Sequence, residues 1–400
     1  MRFDYKNEAF LVGVILFVDF LFLLHGISVL SISASEAKIY FYGKDFVHYL
    51  IKFSTSLFGR NDYALRLPFV FFHILSTILL YKISKKYLKR KSDRLFSVII
   101  YVLLPGTNSA ALAVNSSQIV IFLTLLFIYF YENKRVGLSY FVLVVSVFID
   151  NSFAIFYLSL IFYALYKKDN KLLGISLVLF GLCMYFWGFD TGGKPKEYFV
   201  QTLAVYAAIF SPLVFFYFFY TEYRILVKEE KNILWFVSFI AFMFSLLLSF
   251  RQKIMIEDFA PFAIIATPLM VRVFLSSYRV RIPELRHWHK MIFSFVFATL
   301  VVNFIALYFN RSLYLILKNP HKHFTYRYDF AKQISNKLKQ IGIKKIVCDN
   351  EKFALRLRFY GIEEGGKYLL SDKPDNHLYN VTISYNKKVV FPAYVSKLHK

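Results

Sequence analysis

The chain has 400 residues, 58% of them hydrophobic, with 48 Phe, 30 Tyr and a formal net charge of +24. This composition excludes a soluble globule, and Cys183 and Cys348, the two cysteines, suggest neither a disulfide framework nor a metal cluster. The basic residues are spread over many loops and form no single stripe, which reads as topology control and contact with anionic lipid headgroups rather than nucleic-acid binding.

Apolar runs of about 20 residues, the length that crosses a hydrocarbon core of roughly 30 Å, recur over the first 310 positions. Short alternating strands of barrel type are absent, so the expected fold class is an all-α polytopic membrane protein. The opening MRFDYKNEAF and the apolar run to Leu30 have the outline of a signal peptide, and Ser33-Ala34-Ser35 resembles a cleavage site. The run exceeds the usual h-region of about 7–15 residues, so it reads as an uncleaved first span. Eleven spans are predicted, at approximately 9–30, 67–88, 94–105, 116–132, 136–150, 152–167, 171–189, 198–221, 232–250, 258–276 and 289–309. The third is short and ends at Pro105-Gly106, so the polar stretch Thr107 to Ser117 is expected to dip back, buried in protein or lining a wet cavity.

The loops set the orientation. Segments 1–10, 82–94, 133–135, 167–171, 222–231 and 277–290 hold 21 Lys and Arg, against 9 in 31–66, 106–117, 150–152, 189–197 and 251–258. Basic loops stay inside, so the N-terminus is expected inside and the C-terminus outside. In the outward loop 31–66, Ala37, Ile39, Tyr40, Phe46, Val47, Leu50, Ile51 and Leu57 recur at mostly helical spacing. One or two amphipathic helices on the membrane surface fit that pattern. After Asn310 the composition turns charged and mixed. DFAKQISNKLKQIGI and EKFALRLRFYGI read as helices, and KKIVCD, YLLS, VTISY and KVVFPAYV as strands. The expected division is a membrane domain over 1–310 and a small extramembrane α/β domain over 318–400, with no internal repeat or linker.

Ionisable groups collect at the outward ends of the spans: Glu36, Asp45 and His48, then Asp62 and Arg66, then Asp150, then Arg251, Lys253, Glu257 and Asp258. A partly desolvated carboxylate at that level can act as a general base, and Arg or Lys can hold a phosphate. Taken singly, each is as readily an interfacial charge. Asp19 lies mid-span in VILFVDFLFLL, where an acid is costly, and is expected to pair with a polar group of another helix or to carry protons. His25 reads as an interfacial polar residue. His287 and His289 read as part of a solvated basic loop rather than a metal site.

Four stretches resemble glycosyltransferases of the GT-C class, close to the protein O-mannosyltransferases and lipid A aminoarabinose transferases. Ser35-Glu36-Ala37 stands where that family has D-E-A or D-E-T after the first span. LFGRNDYALRLP at 57–68 is similar to its entry into span 2, and LLPGTNSAALAVNSSQIVIFL to its Pro-then-polar segment. SFRQKIMIEDFAPFAIIATP at 249–268 is similar to its basic outer loop. The resemblance covers roughly residues 10–280. It implies a bacterial inner-membrane, periplasm-facing enzyme that uses no cofactor or metal and takes a polyprenyl-phosphate sugar as donor. The acceptor would be an envelope glycan, lipid or protein. It further implies Glu36 as the remaining catalytic acid, Arg66, Arg251 and Lys253 as phosphate partners, and Asp45, His48, Asn115, Asp150 and Asp258 as further site positions. Ser35 and Asn115 replace the family's two acids. Either Glu36 takes over, or another acid such as Asp45, Asp150 or Asp258 does, or only binding survives as a non-catalytic scaffold. A transporter or flippase is a further alternative, although it would usually show broken helices in both halves, and one candidate break, at Pro105, is visible.

Overall fold

The computed structural model describes residues 8–188, 198–317, 319–373, 377–385 and 388–398. Residues 1–7 and 189–197, which entered the comparison of basic loops, lie outside these. Among the described residues, five helices are by length and composition able to cross a membrane: Glu8–Val29, Asp62–Tyr87, Asn170–Trp187, Ala260–Val280 and Arg286–Tyr308. The number rises to seven if each of two bent helix pairs is one span. Four shorter apolar helices accompany them: Ser117–Glu132, Val136–Ser146, Phe153–Lys167 and Ile233–Ser249. Each of the eleven apolar runs falls on one of these helices or pairs.

The chain divides into two compact units, one of Met1–Leu21 with Phe69–Phe304 and one of Phe22–Pro68 with Ile305–Lys400. Among its described residues, the regular structure of the first is all helical. Its two bends follow from local chemistry. Helices Lys91–Leu103 and Pro105–Leu112 meet at 56° because Pro105 has no N–H to give Tyr101 O. The Thr107 hydroxyl takes up that carbonyl at 2.7 Å, and the Asn108 amide takes Val102 O at 2.6 Å and Leu104 O at 2.8 Å. The polar stretch after Pro105 therefore begins as a buried helix that repairs its own break. Gly106 is needed there, since a Cβ would meet Ile209 Cγ2 at 2.4 Å. The single run expected over 198–221 is two helices, Phe199–Phe210 and Pro212–Lys228, bent by 104°. Ser211 turns the chain at φ +71°, Pro212 starts the new helix, and Asn303 Nδ2 donates to the Ser211 hydroxyl at 2.6 Å.

Asp19 finds the partner its depth demands. Its Oδ2 lies 2.9 Å from His73 Nε2, with both side chains fully buried, and the His73 ring stacks on Tyr101 at 6.0 Å. A lone carboxylate among apolar helices would be unstable, so this pair fixes the register of the first two long helices.

The second unit joins the first loop to the C-terminal segment. The loop holds two helices, Ala34–Tyr42 and Phe46–Phe58. Gly59, at φ +79°, turns the chain out of the second. The Asn61 side chain then caps helix Asp62–Tyr87 by accepting from Ala64 N at 2.8 Å. Pro68 lies inside that helix and cannot donate to Ala64 O; the Ser54 hydroxyl does so at 2.6 Å. The FG-x-ND-x-ALRLP signature is thus a turn, a cap and a patched proline.

The C-terminal strands are β1 (Lys345–Cys348), β2 (Glu363–Ser371), β3 (Tyr379–Asn380), β4 (Ile383–Tyr385), β5 (Lys388–Phe391) and β6 (Tyr394–Lys397). One sheet has the order β1-β2-β6-β3, and β4 pairs with β5 apart from it. β1 and β2 are parallel and are connected through helix Glu351–Phe359, as a parallel pair requires. Register slips between Ile346 and Val347, opposite Gly365 and Gly366 at φ +112° and +99°. KVVFPAYV, read as one strand, is two strands in different sheets, because Pro392 carries no N–H for a ladder. Helices Ala331–Gln340 and Glu351–Phe359 bring Ile334, Leu338 and Leu357 into one core with Ile346, Leu370 and Val395.

His73→Leu should lower stability by about 3–5 kcal/mol, because it strands Asp19 in an apolar interior. In a thermal-unfolding series in detergent, the pair Asp19→Leu/His73→Leu should cost less than the sum of the two single changes.

Candidate functional site

The second unit is organised around Arg66. Its guanidinium is fully buried and meets Glu36 Oε2 at 3.1 Å, Ser31 O at 3.1 Å and Asp62 Oδ1 at 3.6 Å. Glu36 reaches it by local chemistry. Ser33 caps helix Ala34–Tyr42, its hydroxyl accepting from Glu36 N at 3.2 Å, while Ser33 N donates to Glu36 Oε2 at 2.8 Å. This is a capping box, and its Glu is 2% exposed. Ser35, between the two, is exposed. The expected arrangement has Glu36 toward an acceptor and Arg66 toward a phosphate; in the structure the two side chains hold each other.

Asp62 is equally occupied. It accepts from Tyr360 Oη at 2.6 Å and pairs with Lys332 Nζ at 2.9 Å. Tyr360 Oη also accepts from Ile32 N at 2.9 Å, and Arg356 donates to Ile32 O at 2.7 Å and Asp329 O at 2.6 Å. Ser31 N donates to Tyr328 O at 2.7 Å. Residues 31–33 are thus held at nearly every backbone polar group. Burial pulls the Arg356 guanidinium below its ordinary range, and burial together with the Asp62 charge pushes the Tyr360 phenol far up. Tyr360, Arg356 and Lys332 were invisible as site residues in the sequence, since nothing local marks a contact some 300 positions away. The capping box was visible, as S-x-x-E at 33–36.

Asp45 and His48 serve the second loop helix. Asp45 is its N-cap, accepting from His48 N at 3.1 Å, and His48 Nδ1 lies 2.7 Å from Ile39 O. Both are half-buried.

The remaining predicted positions belong to the first unit, on two segments. Arg251 and Lys253 are exposed, and Asp258 closes a 3-10 turn, Ile256–Asp258, before the span Ala260–Val280. Asn115 Oδ1 accepts from Ser117 N at 3.2 Å, and Ser117 Oγ reaches Glu257 O at 3.3 Å, so the 113–117 bend abuts this loop. Asp150 caps its own turn through Ser152 N at 2.9 Å. Asp258 is half-buried; burial, with the charges of Asp150 and Glu257, pushes its carboxyl up to about 7. Cations for an anion and a carboxyl that titrates near neutrality therefore share one short loop. No group of three or more metal-ligating side chains occurs among the described residues.

Such a helical bundle, with a compact C-terminal sheet region and ionisable groups at the helix ends, has the fold of the GT-C class of membrane glycosyltransferases. Residues 46–184 match the family model of dolichyl-phosphate-mannose-protein mannosyltransferases. The fold is similar to a crystal structure of ArnT, a lipid A aminoarabinose transferase, from Cupriavidus metallidurans in the apo state. That likeness has a TM-score of 0.58 at 11% identity over 96% of this chain and 97% of that one. The same protein bound to undecaprenyl phosphate gives a TM-score of 0.57 at 12% identity, over 89% and 86%. No curated protein matches the chain.

Arg66→Met leaves the buried Glu36 without a cation and Asp62 with Lys332 alone, and should cost about 3–5 kcal/mol of stability. Tyr360→Phe removes one hydroxyl from Asp62 and Ile32 and should cost about 1–3 kcal/mol. Thermal unfolding of the purified variants checks both values and their order.

Proposed function

We propose that the protein is a glycosyltransferase of the bacterial inner membrane, with its N-terminus cytoplasmic and its C-terminal domain periplasmic. It moves a sugar from a polyprenyl-phosphate donor to an envelope lipid, glycan or protein. The observation that carries this reading is the likeness in fold, over nearly the whole chain, to a transferase whose solved structure holds undecaprenyl phosphate.

In such a transfer an acceptor hydroxyl attacks the anomeric carbon and the lipid phosphate leaves. The protein must take the acceptor proton and neutralise the phosphate. We assign the first task to Asp258, with Asp150 and Asn115 as neighbours of the acceptor, and the second to Arg251 and Lys253. Asp258 suits the role because it is half-buried, titrates near neutral pH, and is acted on by carboxylates rather than by a cation. Glu36 suits it less, since its Oε2 already serves Arg66 and Ser33 N. We assign Glu36 and Arg66 to positioning the first loop, with Asp45 and His48 ordering its second helix.

A second reading, a non-catalytic relative that binds lipid-linked sugar, is favoured by Ser35, the exposed residue where the resemblance puts an acid. A transporter gains a second broken helix at Ser211. However, the carbonyls freed at the Pro105 break are taken by Thr107 and Asn108 rather than left for an ion.

Mass spectrometry of envelope lipids and glycoproteins from wild type, a deletion strain and complemented strains separates these readings. Loss of one sugar on deletion, with Asp258→Asn failing to restore it and Glu36→Gln restoring it in proportion to its protein level, supports the assignment. Restoration by Asp258→Asn but not by a fully expressed Glu36→Gln returns the base to Glu36. Restoration by both points to the binding role, and an unchanged deletion strain removes the support for transfer. With purified enzyme, kcat/KM should rise with pH through about 7 as Asp258 ionises, and Asp258→Asn should lose that limb along with about 100-fold or more of the rate.

A further inference from the structure

At the far end of the span Ala260–Val280 from Asp258, the first unit holds a cavity of about 610 Å³. The start of helix Lys91–Leu103, the end of that span and the start of helix Pro283–Tyr308 line it, and it is open on one side. Three guanidiniums line it, those of Arg90, Arg279 and Arg286, against one carboxylate, Asp93. Arg279 Nη2 holds both oxygens of Asp93, at 2.5 and 2.7 Å, which neutralises that acid and fixes the arginine. Arg286 donates to Arg281 O at 2.7 Å and Arg279 O at 3.1 Å, tying it to the chain between the two helices. Arg90 is exposed at the rim. Two positive charges remain over the acid, two of the three arginines are held in place by named bonds, and Phe96 and Leu275 supply apolar wall. On the adjoining stretch of chain, Val280, Ile282, Trp288 and Ile292 are exposed, apolar and aromatic side chains of the kind that sit at a bilayer interface.

We propose that this cavity binds the phosphodiester headgroup of an anionic membrane phospholipid, with the arginines on the phosphate and the acyl chains along Phe96 and Leu275. A guanidinium cluster suits a phosphate oxyanion, and the apolar wall of Phe96 and Leu275, with exposed apolar residues on the adjoining chain, selects a ligand that carries hydrocarbon over a soluble phosphate. The site is independent of sugar transfer: it shares no residue with the loop of Asp258.

Native mass spectrometry of the delipidated full-length protein, given phosphatidylglycerol or phosphatidylcholine, tests the proposal. Two uncompensated charges predict retention of phosphatidylglycerol about 30-fold over phosphatidylcholine. Arg90→Glu, at an exposed residue, should bring the two lipids to near parity. Lys89→Glu makes the same charge change one residue outside the cavity lining and should keep most of the preference. The proposal fails if the wild type shows no preference, if Lys89→Glu loses as much as Arg90→Glu, or if millimolar inorganic phosphate displaces the lipid. The second result would mean diffuse surface charge and the third a soluble anion site.

Discussion

A guanidinium without solvent is the constraint from which the second unit follows. Removing Arg66 from water costs several kcal/mol unless opposite charge and hydrogen-bond acceptors surround it. Glu36 and Asp62 supply the charge, but each is then a buried carboxylate with lone pairs to satisfy. Glu36 satisfies its own with the Ser33 amide of its capping box, and Asp62 with Tyr360 and Lys332. One buried cation therefore specifies the start of the first loop helix, the start of helix Asp62–Tyr87 and the docking of C-terminal residues on the 31–33 peptides. Removing any member exposes the rest to the full cost of desolvation, which gives the small C-terminal fold a role in shaping the first loop.

The first unit obeys the same rule inside its bundle. Asp19 pairs with His73 at 2.9 Å. Asp258 is different in kind. It is half-buried, and the charges that act on it are carboxylates. A carboxyl left in that state is unstable in its ionised form, which is the condition under which a proton can be taken and returned near neutral pH. The surroundings of Asp258 and the two cations beside it, rather than position in a motif, motivate the assignment of chemistry to the loop of Arg251, Lys253 and Asp258.

Much of this was legible in the chain. The apolar runs, the break at Pro105, the paired loop helices and the alternation of helix and strand after Asn310 all carry local signals: run length, proline, periodicity. The resemblance of LFGRNDYALRLP also proved local, since Gly59, Asn61 and Pro68 each have a backbone reason to be there. Where the reading fell short, the cause was distance or competition between local rules. The bend at Ser211 looked like one continuous run because its residues stay apolar through the break. The ion pair of Glu36 had no local signal, because its partner Arg66 is 30 residues away, although the S-x-x-E spacing marks its capping role. Arg356 lies in an ordinary amphipathic helix and Tyr360 just past its end, and only the folded chain brings them to Ile32.

The most direct test is a high-resolution structure of the protein with a bound polyprenyl-phosphate sugar. The expected result is the donor phosphate within hydrogen-bonding distance of Arg251 or Lys253 and the Asp258 carboxyl near the anomeric carbon's open face, with Arg66 still paired to Glu36. A phosphate seated on Arg66, with Glu36 released toward the sugar, would contradict it.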